Sequence, residues 1–338
     1  MSNLSVATWF GNNSLTLEHN NELIDLKVTF DSPTSPSFLC KTLAAHIKDN
    51  TWLNNVQQDQ LCKVISVYGS HIVSDYNNLP EAPGFHHKID TGNAKPVASQ
   101  FCCLPQSKEE FVRTKILKVL KQGMIRPSKS PWASPIVVVP KKGNKLCMCV
   151  NYILLNKVKI SDHYLLPRIS NILASFGGSQ WFSNIDLFIG FHQILVEEAN
   201  QPKTAFVIKW GQYEYIHMPF GLKGTPCTFQ RIMNGVFEGL IGDFVTVYLD
   251  DITIYSKTFD KHLQHLKLCL DCIKSANLSV NAEKFILAVQ QLKLLGHMVS
   301  AFGKHPDPEK CNHKLTYTHQ CQSGVILPWV GRVLPSVH

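Results

Sequence analysis

Residues 244–256, Phe-Val-Thr-Val-Tyr-Leu-Asp-Asp-Ile-Thr-Ile-Tyr-Ser, constrain the fold more than any other stretch. Phe244, Thr246 and Tyr248 alternate with Val245, Val247 and Leu249, the period of a strand, and Ile252 to Ser256 supply a returning strand. Asp250 and Asp251 then cap a hairpin. Asp is a favoured turn residue, so the pair alone reads as a polar turn. A third carboxylate, Asp186, stands near the end of the apolar run Trp181 to Leu187. If those strand ends are neighbours, three carboxylates converge, a donor set suited to hard divalent cations and phosphoryl transfer.

The surrounding pattern is mixed helix and strand, an α+β plan. Ser107-Lys-Glu-Glu110 reads as a capping box opening a helix with Val112, Ile116 and Leu120 on its apolar face and Gly123 at its end. The proline-rich RPSKSPWASP leads into a hairpin, Ile136 to Val139 and Leu146 to Val150, with Lys141, Lys142 and Lys145 at its tip. A short helix is expected at Arg168 to Phe176, ended by Gly177-Gly178. A hairpin is expected at Thr204 to Trp210 and Tyr213 to His217, around Gly211-Gln212. Helices at Thr225 to Leu240 and Asp260 to Ser275, and strands near Leu278 to Val280 and Leu292 to Val299, complete the plan. Residues 1 to about 80 give weak signals, and the Asp31 to Ser37 patch DSPTSPS reads as a linker.

Charge separates the segments. Residues 101–160 hold twelve Lys/Arg against two Glu, whereas residues 1–100 hold six against nine acidic residues. Arg113, Lys115, Lys118 and Lys121 fit a solvated helix face, but Lys141, Lys142 and Lys145 crowd a turn, where they are placed to meet a polyanion or a triphosphate. The 11 cysteines are an odd number scattered over 338 residues, which argues against a secreted disulfide framework. Cys269 and Cys272 have the spacing of a metal or redox pair but fall in a helical pattern; Cys311, His313, His319 and Cys321 cluster without a familiar zinc spacing. No run approaches the roughly 18 apolar residues of a membrane span. The start, MSNLSVATWFGNN, lacks a basic stretch followed by an apolar one, so an intracellular chain is expected.

The stretches SPWASPIVVVPKK, CVNYILLNK, DHYLLPRI, FSNIDLFIGFHQI, KTAFVIKWGQYEYIHMPFGLKGTPCTFQRIMN, FVTVYLDDITIYSK and LLGHMVS occur in an order that resembles the reverse transcriptase of gypsy-type long-terminal-repeat retrotransposons. The resemblance runs from about Phe85 to Lys310. It implies a right-hand polymerase fold with fingers and palm, and RNA-directed DNA synthesis with two Mg²⁺, or Mn²⁺ in their place. The implied partners are an RNA or DNA template with its primer and deoxynucleoside triphosphates, and the implied location is the cytoplasm or a virus-like particle. Asp186 and Asp250 match the family's metal ligands and Asp251 its third acidic residue. Lys141, Lys142 and Lys145 match a fingers hairpin that approaches the triphosphate. Phe191 matches the ring under the incoming sugar, and Gly221, Lys223 and Pro226 match the turn and helix start behind template and nucleotide.

Departures from the family pattern cluster on the second fingers strand. Cys147 stands where an Arg usually holds the incoming phosphates, and Asn151 and Ile153 replace Asp and Arg in the usual Val-Asp-Tyr-Arg. A thiol offers neither the charge nor the forked donors of guanidinium. Ile189 stands where Ser is common. After DPEK the sequence matches no thumb, so the expected division is 1–84 without an assignable role, 85–310 as fingers and palm, and 311–338 as a divergent tail, in a fragment or decayed copy of a Pol polyprotein. Two other readings compete. One is a nucleic-acid-binding remnant without turnover. The other is an aspartic protease built on Asp90-Thr91-Gly92, which follows His86, His87 and Lys88 rather than the apolar strand such a motif needs.

Overall fold

Four strands in the order Val245–Tyr248, Asp251–Ser256, Trp181–Asp186 and Ile286–Val289, each antiparallel to its neighbour, form the sheet that carries the three carboxylates. The protein's structure, a computed structural model, describes residues 7–10, 14–19, 22–27, 47–73, 84–141 and 145–306. The three segments before residue 28, and Lys141 and Lys145, are described at the level of the backbone only. The DSPTSPS patch, Lys142 and the Cys311, His313, His319 and Cys321 cluster lie outside the described residues.

Both faces of the carboxylate sheet are covered, which explains why Trp181–Asp186 reads as a nearly continuous apolar run. Phe182 and its cross-strand neighbour Tyr255 point to one face, each ring edge-on to Phe176 just past the helix Ile169–Ser175 at 5.9 and 5.2 Å. Trp181 points to the other and packs edge-on to Phe259 at 5.2 Å, at the start of the helix Phe259–Ser275. That helix buries Leu266, Cys269, Leu270 and Ile273, so the Cys269/Cys272 pair belongs to a packed helix face. Under it, Ser183 Oγ and Ser256 Oγ lie 2.8 and 3.0 Å from the two ring nitrogens of fully buried His262, which ties the helix to two strands.

A second sheet has the order Ile125–Pro127, Gly211–Tyr215, Phe206–Ile208, Ser134–Lys141 and Lys145–Val150. The helix Gln106–Lys121 packs Val112, Ile116 and Val119 against Ile136, Val138, Phe206 and Ile208 of this sheet. Its start differs from the capping-box expectation. Pro105 is the N-cap, with φ −56, and no side chain caps the helix, so Ser107 falls inside the first turn. Proline's fixed φ begins the helix earlier than the Ser-x-x-Glu pattern indicates. Gly123, at φ 68, ends it as expected. The hairpin expected at Thr204 to Trp210 and Tyr213 to His217 also shifts: Ile208 pairs with Gly211, so Lys209 and Trp210 form the turn instead of Gly211 and Gln212.

The chain divides into two units at Phe38/Leu39. The first contains an antiparallel meander, Ala7–Phe10, Ser14–His19 and Glu22–Lys27. The second includes residues 47–73, for which sequence reasoning had no role. There Asn54 and Gln57 form a reciprocal capping box for the helix Asn55–Ser66, and Leu61, Ile65, Tyr68 and Ile72 join the main core. The strand Ile72–Val73 pairs with Val280–Asn281, and Tyr68 Oη donates to Asp271 at 2.6 Å. Among the described residues, no helix is long and apolar enough to cross a membrane.

Candidate active site

Strand register brings the carboxylates together. Asp251 lies directly opposite Asp186, and Tyr248 opposite Asp251, so Leu249 and Asp250 are the two turn residues of the hairpin. Directly opposed residues have Cβ atoms about 4.5–5.5 Å apart. Leu249 takes φ 54, a left-handed conformation unfavourable for leucine. Gln230 holds it there: the Gln230 Nε2 donates to Val247 O at 2.9 Å, and Leu249 N donates to Gln230 Oε1 at 2.8 Å. Gln230 is fully buried in the helix Thr225–Val236, so the turn is tied to the helix that precedes its first strand.

The three acids have different surroundings. Burial, then the charges of Asp186 and Asp251, push the Asp250 carboxyl up to about 6, with Lys284 opposing. The Oδ1 of Asp250 is buried without a hydrogen-bond partner. Burial also raises Asp251, while Asn184, donating to its Oδ1 at 3.2 Å, works the other way. Thr253 Oγ1 orients Asn184 by donating to its Oδ1 at 3.0 Å. Asp186 accepts from Lys284 Nζ at 3.0 Å, so an ammonium already balances part of the negative charge.

This donor set fits a hard divalent cation. Only oxygen ligands are present, one carboxylate oxygen is orphaned, and burial together with the neighbouring carboxylates raises Asp250, a penalty that a bound cation offsets. Among the described residues no group of three His, Cys, Asp or Glu side chains is gathered closely enough to enclose an ion as it stands. Ligation therefore requires the side chains to turn toward a common centre.

Gly190 sets the space beside them, and sequence reasoning passed over it. A Cβ at this position would stand 2.8 Å from Asp250 Oδ1 and 2.9 Å from Phe229 Cζ. Phe191, next in sequence, packs its ring 5.0 Å from Phe229 and 5.1 Å from Phe220. Ile189 precedes them at φ 51. That conformation is strained for a β-branched residue. Neither Gly190 nor Gln230 carries a local signal beyond being a small or polar residue in an apolar context.

The remaining expected residues are more spread out. Lys223 is exposed in a turn held by Asn156, whose Nδ2 donates to Gly221 O at 2.8 Å and whose Oδ1 accepts from Lys223 N at 2.7 Å. Gly221 and Gly224 take φ 90 and 85, and Pro226 sits in the first turn of the helix that carries Gln230. Lys141 and Lys145 face each other at the end of their hairpin. Cys147 lies on the same strand, its Sγ 3.8 Å from Cys149 Sγ. Asn151 Oδ1 accepts from Ile153 N at 3.1 Å, and Ile153 is exposed. Asp90 accepts from Gly92 N at 2.8 Å within a local turn.

The carboxylate hairpin sits against a central strand end of one sheet, and a second sheet carries the hairpin of Lys141 and Lys145. Solved structures agree on the fold. The foamy viral protease-reverse transcriptase in complex with dsDNA superimposes with a TM-score of 0.74 at 23% identity, covering 90% of this chain and 60% of that one. The same protein in complex with RNA/DNA hybrid gives 0.74 at 20%, covering 97% and 46%. The fold is a right-hand polymerase fold.

Residues 139–299 match the reverse transcriptase (RNA-dependent DNA polymerase) family, and the chain carries a reverse transcriptase domain of the retrotransposon Pol kind. The retrovirus-related Pol polyprotein from transposon 297 of Drosophila melanogaster is 39% identical over 72% of this chain and 24% of its own length. The corresponding polyprotein from transposon gypsy is 37% identical over 66% and 22%. The Tf2-3 polyprotein of Schizosaccharomyces pombe is 36% identical over 68% and 17%. The chain thus spans a quarter or less of the length of these relatives. Reverse transcriptases in general use divalent metal ions.

Proposed function

We propose that the chain acts as an RNA-directed DNA polymerase, extending a primer 3′-hydroxyl with deoxynucleoside triphosphates on an RNA or DNA template. The observation that carries this reading is the register that sets Asp251 opposite Asp186 with Asp250 in the adjoining turn. Asp186, Asp250 and Asp251 would hold two Mg²⁺, or Mn²⁺ in their place. When bound, such ions supply charge neutralisation at the phosphoryl group and lower the pKa of the attacking hydroxyl.

The protein's own groups position the reactants. Gln230 fixes the turn, Asn184 aims Asp251, and Gly190 leaves room for the Asp250 carboxylate. The Phe191 ring, braced by Phe220 and Phe229, would crowd a sugar 2′-hydroxyl and favour deoxynucleotides. Lys141, Lys142, Lys145 and Lys223 would meet the phosphates. Residues 85–310 would work as fingers and palm, in the cytoplasm or a virus-like particle. Cys147 weakens phosphate binding, since losing one preorganised charged donor costs on the order of 10²- to 10³-fold in rate.

The structures of the foamy viral enzyme with dsDNA and RNA/DNA hybrid support a nucleic-acid partner. A second reading, template-primer binding without turnover, is favoured by Cys147 and by exposed Ile153, where the resemblance expects guanidinium groups. Primer extension on an RNA template with Mg²⁺ or Mn²⁺ separates the two. Extension by wild type, abolished in Asp250→Asn and increased in Cys147→Arg, supports the polymerase. Binding of template-primer with no extension by wild type or Cys147→Arg supports the second reading.

A further inference from the structure

The edge strand Lys145–Val150 has two different faces. Leu146, Met148 and Val150 pack into the core beneath the helix Gln106–Lys121. Cys147 and Cys149 alternate with them, opposite Val139 and Val137 on the neighbouring strand. Those two valines are 42% and 36% exposed, Cys149 is exposed and Cys147 is half-buried. The two sulfurs are 3.8 Å apart. A pair of thiols this close, on the solvent side of a strand with no second partner strand among the described residues, is within reach of small oxidants.

We propose that Cys147 and Cys149 form a redox-active dithiol that closes reversibly into a disulfide within one strand. Two residues along a strand span roughly 6.6 Å, at about 3.3 Å each. That lies inside the range of about 4.4–6.8 Å between Cα atoms that a disulfide tolerates. Ring closure brings the sulfurs from 3.8 Å to about 2.05 Å and the Cβ atoms from roughly 6.6 Å to about 4.5 Å or less, so the edge strand has to pucker locally at Met148, opposite Val138. Among the described residues this strand has one partner strand in its sheet, so the pucker disturbs a single ladder. The pair differs in this from Cys269 and Cys272, where Cys269 is fully buried in a helix.

The oxidant is a small-molecule disulfide of the glutathione type. The exposed Cys149 thiolate attacks one of its sulfurs, leaving a mixed disulfide and releasing one glutathione. The Cys147 thiolate then attacks the Cys149 sulfur and expels the second glutathione. Two electrons pass from the protein to the oxidant, and the two thiol protons leave with the released glutathione molecules. A reducing thiol reverses both steps. Because Cys147 lies two residues after Lys145 on this hairpin, closure also fixes a side chain close in sequence to the proposed phosphate-binding tip.

The test uses the full chain equilibrated in oxidised and reduced glutathione, quenched in acid, alkylated and digested with trypsin. Cleavage after Lys145 and Lys157 places both cysteines in the single peptide Leu146 to Lys157. In oxidised glutathione this peptide is expected to lose two hydrogens and resist alkylation, and to become doubly alkylated again after dithiothreitol. Cys147→Ser is expected to retain glutathione on Cys149 because no resolving thiol remains. A wild-type peptide that stays doubly alkylated while the exposed Cys102 and Cys103 react overturns the proposal. So does wild type that stops at the mixed disulfide, or that links this peptide to another cysteine.

Discussion

Asp251 faces Asp186 across two antiparallel strands, and Asp250 occupies the turn one residue before it, so three carboxylates share one end of a single sheet. That crowding is unfavourable to the fold without a cation, and it makes the site separable from ordinary turn chemistry.

Replacing Asp250 by Asn should therefore stabilise the metal-free fold at neutral pH. Its carboxyl is raised from 3.8 to about 6, so the folded chain holds a proton that the unfolded chain releases. Stability falls as pH rises through that window and is unaffected below it. Discounted for partial exposure, the Asn variant should gain about 1–2 kcal/mol in urea unfolding with EDTA at pH 7.5. The gain should vanish near pH 4. Equal stability at pH 7.5 would contradict the assignment of Asp250 as an unneutralised member of the cluster.

Gly190→Ala puts a methyl group 2.8 Å from Asp250 Oδ1 and 2.9 Å from the buried Phe229 ring. Overpacking of this kind costs about 1–3 kcal/mol. Displacement of the carboxylate should lower primer extension by on the order of 10²-fold. Urea unfolding and extension rates measure the two effects, and an active variant with wild-type rates would show that Asp250 has more freedom than the contact implies.

Gln230→Leu removes both clamps on the turn, leaving Val247 O and Leu249 N without these partners. Buried backbone groups left unpaired cost about 1–3 kcal/mol each. A loss of roughly 2–4 kcal/mol in the urea midpoint analysis is expected. A loss below about 0.5 kcal/mol, the scale of a neutral surface change, would mean that the hairpin holds its positive φ unaided.

His262 gives the fold a pH dependence of the opposite sense. Burial, with His265 nearby, holds its imidazole down to about 3 between Ser183 and Ser256. The unfolded chain takes up a proton near pH 6.5 that the folded chain refuses, so stability is complete above that pH and is lost as pH falls toward 3. His87 and His192, lowered by burial to about 3 and about 4, act in the same direction. His262→Gln should flatten the decline of the urea midpoint between pH 7 and 4; an unchanged slope would assign the decline elsewhere.

How much of this was legible in the sequence depends on whether the signal was local. The alternation in 244–256 and the apolar run before Asp186 indicated both strand ends, because strand period and turn chemistry act over a few residues. The Asp186–Asp251 register joins distant segments and has no local signature. The same holds for Gly190, whose constraint is an approach from another strand's turn, and for Gln230, which reads as one polar residue in an amphipathic helix. Residues 47–73 were unassigned for this reason too: their apolar face is completed by the helix Phe259–Ser275 and the strand Val280–Asn281. Local misreadings had local causes, as where Pro105 started a helix ahead of the Ser107 pattern.

Mn²⁺ binding, followed by electron paramagnetic resonance of the free ion, tests the carboxylate site most directly because it does not depend on template, nucleotide or residue 147. Wild type is expected to deplete free Mn²⁺ at neutral pH, Asp250→Asn and Asp186→Asn each to weaken this by at least about tenfold, and Asp90→Asn to leave it unchanged. Binding by wild type that is no tighter than binding by Asp250→Asn would contradict this expectation.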